Sequence, residues 1–285
     1  MPLATTRELV AEARAAGRGI GAFNVITLEH AEAVVAGAAR AGAPVILQIS
    51  ENAVRFHNGQ LKPVAAAVNA VAREAPVDVS VHLDHVETDA LLHRAAQAGV
   101  SSVMYDASKL DYSQNVAATR TAANWAHDNG IFLEAELGEV GGKDGAHAPG
   151  VRTDPREAAA FVAATGVDAL AVAVGSSHAM TSRSADLDHG LIAALRDAVP
   201  VPLVLHGSSG VADLDLRKAV TAGIVKVNVG TILNIAYTQA VRRSLDRDAD
   251  LVDPRKYLDP ARDQMADAVA GILSALDTTG SPVTG

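Results

Sequence analysis

Three of the ten histidines, His85, His178 and His206, stand at or near the end of short apolar runs. Three neutral imidazoles brought to one place make an open zinc site, with positions left for substrate oxygens. Asp84 sits beside His85, and a carboxylate next to a metal suits proton transfer. The alternative role for Asp84 is to orient a ligand from behind. Two turns, Gly207-Ser208-Ser209-Gly210 and Gly230-Thr231, permit close backbone approach and offer N–H and hydroxyl donors to a phosphate. His30, His57, His93, His127, His147 and His189 fall on helical or loop stretches and read as surface residues, and His82 reads as a structural or supporting residue inside a run.

These residues need elements to hold them. Short β-branched runs alternate with Ala-rich stretches. Strands are predicted near Gly19–Val25, Pro44–Ser50, Val77–His85, Val100–Ser108, Ile131–Gly138, Ala169–His178, Pro202–Gly210 and Ile224–Thr231. Runs such as Leu170-Ala171-Val172-Ala173-Val174 suit parallel strands buried on both faces. Helices are predicted over Leu28–Ala41, Leu61–Arg73, Asp89–Ala98, Asn115–Asn129, Asp154–Thr165, Leu187–Ala198 and Asp213–Ala222. Eight strand–helix units predict a (β/α)₈ TIM barrel, one domain over residues 1–285, with a C-terminal helical extension from about 235 to 285. A dinucleotide-binding sheet would want G-x-G-x-x-G after its first strand, where this chain has Asn24-Val25-Ile26-Thr27-Leu28-Glu29.

In a barrel the site lies at the C-terminal strand ends. Here every predicted strand closes on polar groups, which a mere scaffold does not require. One difficulty is parity. Asp84 and His85 are adjacent, so a regular strand points them to opposite faces. Both reach the mouth only if the strand ends between them.

Composition sets limits. Cysteine is absent, which excludes disulfides, thiolate metal sites and cysteine nucleophiles. Lys and Arg total 24 against 33 Asp and Glu, a net charge of −9 that disfavours nucleic acid and anionic membranes. One Trp, four Tyr and four Phe are too few for a base-stacking platform. No apolar stretch approaches the roughly 18 residues of a membrane span, and no signal peptide is visible. A cytoplasmic protein is expected.

With these residues placed, the chain resembles the class II, metal-dependent ketose-bisphosphate aldolases. The matching segments include Gly21-Ala22-Phe23-Asn24, Val81-His82-Leu83-Asp84-His85, Glu134-Ala135-Glu136-Leu137-Gly138, Leu203-Val204-Leu205-His206-Gly207, Lys226-Val227-Asn228-Val229 and Asp253-Pro254-Arg255-Lys256-Tyr257-Leu258, in the family's order. The resemblance implies that His85, His178 and His206 bind a catalytic Zn²⁺, and that Asp84 is the acid/base at the C4 hydroxyl. Asp106 and Glu136 resemble residues at a second or alternative metal position. Asn228 resembles the residue that contacts the dihydroxyacetone-phosphate portion. Gly207, Ser208 and Ser209, with Asn228, Val229, Gly230 and Thr231, resemble the phosphate loops, and Asn24 and Ser50 match positions near the other substrate half. The implied reaction is reversible aldol cleavage of a fructose- or tagatose-type 1,6-bisphosphate by a homodimer or homotetramer.

The chain departs from that pattern in places. Asp144 stands where the family's mobile loop carries a Glu as second acid/base, with Glu139 as the alternative. Ala179 replaces a Gly beside the phosphate and a monovalent ion, and Gly230 replaces an Ala. Arg262 reads as a surface residue or as a distal phosphate contact. A Schiff-base route needs a desolvated lysine at the mouth; of six lysines, Lys226 lies inside strand 8 and Lys109 follows strand 4. The rival functions are a sugar-phosphate-binding protein without turnover and an aldolase for a keto-sugar monophosphate.

Overall fold

The computed structural model describes residues 3–137, 152–177 and 182–278. Strands β1 (Ile20–Asn24), β2 (Val45–Ser50), β3 (Val79–Val86), β4 (Ser102–Tyr105), β5 (Phe132–Glu136), β6 (Ala169–Ala171), β7 (Leu203–Leu205) and β8 (Ile224–Val229) form a closed parallel barrel in chain order. The helices are α1 (Thr6–Ala15), α2 (Leu28–Ala41), α3 (Glu51–Phe56), α4 (Leu61–Glu74), α5 (Asp89–Leu92), α6 (Ala95–Ala98), α7 (Tyr112–Asp128), α8 (Pro155–Thr165), α9 (His189–Ala198), α10 (Asp213–Ala222), α11 (Thr231–Arg247) and α12 (Arg255–Leu276). This is the predicted TIM-barrel architecture.

Local chemistry explains the punctuation. Asp154 caps α8 by accepting from the Arg156 and Glu157 amides, with Pro155 in the first turn. Asp111 and Asp188 cap α7 and α9 in the same manner. The ladders of β6 and β7 are shorter than the predicted strands, so Gly175–Ser177 and His206–Gly207 are loop and Ser208–Gly210 is a single 3-10 turn. The predicted helix over Asp89–Ala98 is two short helices, α5 and α6, with a turn at 93–94 between them.

Helix α1 was not expected from periodicity, although Thr5 and Glu8 form a capping box at its start. It closes the N-terminal end of the barrel: Leu9, Val10 and Ala13 pack with Ile20, Ile46, Phe132, Ala171 and Val204. The Thr6 hydroxyl joins the interior hydroxyls of Ser80, at 3.0 Å, and Ser102, at 2.6 Å. At the other end of the chain, α11 starts directly after β8, earlier than the predicted extension. After the Asp253-Pro254-Arg255 break, α12 buries Met265, Val269, Ile272, Leu273 and Leu276 against the body of the barrel. That spacing of three or four residues is the apolar stripe of a surface helix.

Polarity changes along the barrel axis. Below is the apolar layer on α1. Above it Gln48, His82, Glu134 and Lys226 are all fully buried, and the mouth carries Asn24, Asp84, Glu136, His206 and Asn228. Two irregularities aim these side chains. In β3 the register shifts between Leu83 and Val86, with His85 in the left-handed region at φ 49°. Leu83 and Val86 both pack in the outer core, so the two residues between them are released together toward the mouth. In β8 the register shifts between the Leu203–Ile224 and Val204–Lys226 pairs. Ile224, Val227 and Val229 pack outward, and the extra residue turns Lys226 and Asn228 inward.

Candidate active site

A cavity of about 200 Å³ opens at the C-terminal end of the barrel. Asn24, Ser50, Asp84 and His85 line one side. Gly207, Ser208, Ser209, Asn228, Gly230 and Thr231 line the other. All ten are residues expected from the sequence. Gln48 and Asn52, which were not, also line the cavity. Gln48 was legible as the inward residue two before Ser50 in β2.

Asp84 is held at both oxygens. Asn24 Nδ2 donates to Oδ2 at 3.3 Å and Asn228 Nδ2 donates to Oδ1 at 3.4 Å. Gln48 Nε2 donates to Asn24 Oδ1 at 3.0 Å, fixing the sense of that amide. A Cβ on Gly230 would lie 2.8 Å from Asn24 Oδ1, so the Gly at this position leaves the Asn24 amide its place. Gly207 has φ 66°, and a Cβ there would fall 2.6 Å from the Ser177 backbone. Only Gly lets the ends of β6 and β7 approach so closely.

His85, Glu136 and His206 offer ligand atoms that all lie within 4.8 Å of one another. The two rings meet edge to face, with centroids 4.9 Å apart. Each imidazole is anchored through its other nitrogen. His85 Nδ1 donates to Asp106 Oδ2 at 2.8 Å, and His206 Nε2 donates to Glu134 Oε1 at 3.0 Å. That is the carboxylate–histidine arrangement that orients metal ligands. Asp106 is itself fixed by the Ser108 hydroxyl at 2.6 Å and amide at 3.1 Å. It therefore stands behind His85 and orients that ring. Glu136 faces the two histidines, its Oε2 3.9 Å from His206 Nδ1.

The electrostatics favour a cation. Burial works against a charged His85, but Asp84, Asp106 and Glu136 outweigh it and hold the ring's pKa up at about 10. Burial also works against ionised Asp106, yet its bonds to His85 and Ser108 hold it far below the usual carboxylate range. The proton on His85 balances carboxylates that a bound cation would balance instead. Two imidazoles, each backed by a carboxylate, and a third carboxylate beside them are donors that zinc takes. His82 is different. Burial, then the nearby Lys226 cation, keep it neutral well below its ordinary pKa, and its Nδ1 is engaged with Ser102 Oγ at 2.7 Å.

Other predicted residues sit elsewhere. The Val229 side chain points into the outer core, because the β8 bulge turns Asn228 and not Val229 inward. Arg262 donates to Glu32 at 2.5 Å and to Asp259 at 2.8 Å outside the mouth, as its surface reading expects. Lys226 is buried, with Nζ 2.8 Å from Glu134 Oε2. His30, expected at the surface, is buried in a stack on Tyr237, with ring centroids 4.9 Å apart, and bonds Thr27 Oγ1. The apolar side of α2 reaches it one turn earlier than the surface reading allowed. His178, Ala179, Asp144, Glu139 and His147 lie outside the described residues.

The sequence profile of "Fructose-bisphosphate aldolase class-II" matches residues 4–281. A Staphylococcus aureus (strain Mu50) protein named "Fructose-bisphosphate aldolase" is 36% identical over 283 residues, covering 98% of this chain and 99% of its own. A Bacillus subtilis (strain 168) protein named "Probable fructose-bisphosphate aldolase" is 39% identical over 275 residues, covering 95% of this chain and 96% of its own. Among solved structures, the YdjI aldolase of Escherichia coli K12 superposes with a TM-score of 0.84 at 31% identity, covering 98% of each chain. A polar barrel mouth with paired imidazoles, a held carboxylate and full-length similarity to these proteins leads to one conclusion: the chain belongs to the class II fructose-bisphosphate aldolase family and is an aldolase, a carbon–carbon lyase.

Proposed function

We propose that the enzyme catalyses metal-dependent, reversible cleavage of a ketose 1,6-bisphosphate of the fructose or tagatose type to dihydroxyacetone phosphate and glyceraldehyde 3-phosphate. The observation that carries this reading is Asp84, held between the Asn24 and Asn228 amides on a cavity shared with His85. Two neutral amide donors fix the carboxylate in place on the cavity wall.

His85, His206 and His178, with Glu136 beside them, would hold the cation. A divalent ion there supplies Lewis-acid polarisation of the ketose carbonyl. Asp84 accepts the C4 hydroxyl proton as the C3–C4 bond breaks, and the bonding pair passes to the three-carbon fragment. Asp144 is assigned the later protonation of that fragment at C3. The substrate phosphate is assigned to the turns at Gly207–Ser209 and Gly230–Thr231. There α11, 17 residues long, presents its N-terminal amides. Ser208 donates its hydroxyl to Asn228 O, whereas Ser209 Oγ accepts from the Ile232 amide and keeps its own O–H to give. Backbone N–H groups and the Ser209 hydroxyl are therefore assigned the anion. Asn24, Ser50 and Asn52 face the aldehyde half.

The test is a cleavage panel on zinc-loaded protein with fructose and tagatose bisphosphates and keto-sugar monophosphates, each with a chelator control. Chelator-sensitive cleavage of a bisphosphate supports the reading. Binding without turnover, or cleavage confined to monophosphates, contradicts it.

A further inference from the structure

Lys226 is among the largest fully buried side chains in the molecule, in the middle of the barrel beneath the cavity. A buried ammonium is expensive unless paired and hydrogen-bonded. This one is both: Nζ lies 2.8 Å from Glu134 Oε2 and 2.7 Å from Asn228 Oδ1. An apolar residue would fill the same space without that desolvation, so the charge calls for a reason.

The reason lies in what an ammonium lacks. It has three donors and no acceptor. It therefore admits only the oxygen of the Asn228 amide and turns the NH₂ group away from itself. The NH₂ group then lies 3.4 Å from Asp84 Oδ1. Without Lys226 the amide is free to rotate by a half-turn. Its oxygen would then face the Asp84 carboxylate, two acceptors with no proton between them. The register shift in β8 serves this arrangement. In an unshifted strand Lys226 would share the outward face of Ile224. Glu134 completes the bracket, since its two oxygens tie Lys226 to His206.

We infer that Lys226 is a positioning residue: by fixing the sense of the Asn228 amide it supplies Asp84 with one of its two donors. The inference rests on the proposed role of Asp84 as base and adds a residue that touches no substrate. Lys226 acts here as a fixed donor below the reacting atoms.

The test is a double-mutant cycle on zinc-loaded, full-length protein, reading kcat/KM for bisphosphate cleavage, zinc affinity by chelator competition, and thermal unfolding. The single variants are Lys226→Met, Lys226→Gln and Asn228→Ala. Lys226→Gln is shorter and uncharged but still polar, and carries the cycle should Lys226→Met not fold. Expected is a loss of tenfold or more in kcat/KM for each lysine variant, with zinc affinity within threefold of wild type. In the Asn228→Ala background the lysine variants should cause no further loss beyond twofold, because residues acting through one contact are not additive. Full additivity, or lysine variants as active as wild type, overturns the inference and leaves the proposed function standing. A wild-type protein that cleaves nothing overturns both.

Discussion

Asp84 and His85 are consecutive in the chain, yet both line one cavity, because β3 carries an extra residue and His85 sits at φ 49°. A non-glycine residue in the left-handed region is uncommon, and at His85 it coincides with the register shift that opens β3 toward the cavity. This backbone brings the proposed base and the neighbouring imidazole, a proposed metal ligand, to one face, which no regular strand can do.

Asp84→Asn keeps the shape and the two amide neighbours but removes the proton acceptor. It should lower kcat for cleavage by about 10²–10⁴-fold, the usual worth of a general base, with zinc content and unfolding temperature close to wild type. Steady-state kinetics alongside metal analysis check this. A variant retaining more than a tenth of wild-type turnover would leave Asp84 with an orienting role only.

Asp106 stands behind His85 through the 2.8 Å bond to Nδ1. Asp106→Asn should therefore weaken zinc binding by about 10–100-fold while leaving the fold intact. Chelator competition measures it. Unchanged affinity would mean that the bond does not orient the ligand.

His30 is neutral in the fold because burial disfavours its cation, and its pKa is lowered from 6.5. The unfolded chain binds a proton there more readily. The stability that His30 contributes is thus fully present above pH 6.5 and declines as the pH falls below it, by at most about 1.4 kcal/mol per pH unit. His82 follows the same sign. His30→Gln should flatten the fall in unfolding free energy between about pH 6.5 and 5, measured by urea titration at several pH values. A slope identical to wild type would contradict this assignment.

The barrel was legible because its signals are redundant. Eight apolar runs, each closed by polar residues, survive errors of several residues at each end. The polar strand ends also announced the cavity, since all ten cavity residues proposed on either side of it stand there. Less visible was anything that depends on a departure from regular geometry. The extra residues in β3 and β8 obey no period. The parity of Asp84 and His85 could therefore be posed as a question but not answered, and the inward turn of Lys226 and Asn228, with Val229 outward, could not be foreseen. Helix α1 escaped because its apolar positions are few, although Thr5 and Glu8 marked its start. The buried stack of His30 on Tyr237 joins α2 to α11, some 200 residues apart in sequence, and no local pattern reports such a contact.

Metal dependence is the claim on which the proposed chemistry turns. The direct measurement is bisphosphate cleavage by protein stripped with a chelator, then titrated with zinc while turnover and bound metal are followed together. Turnover should fall to background on stripping and return in proportion to zinc, reaching its full value near one ion per chain. Undiminished turnover in protein shown to be free of metal would contradict the account.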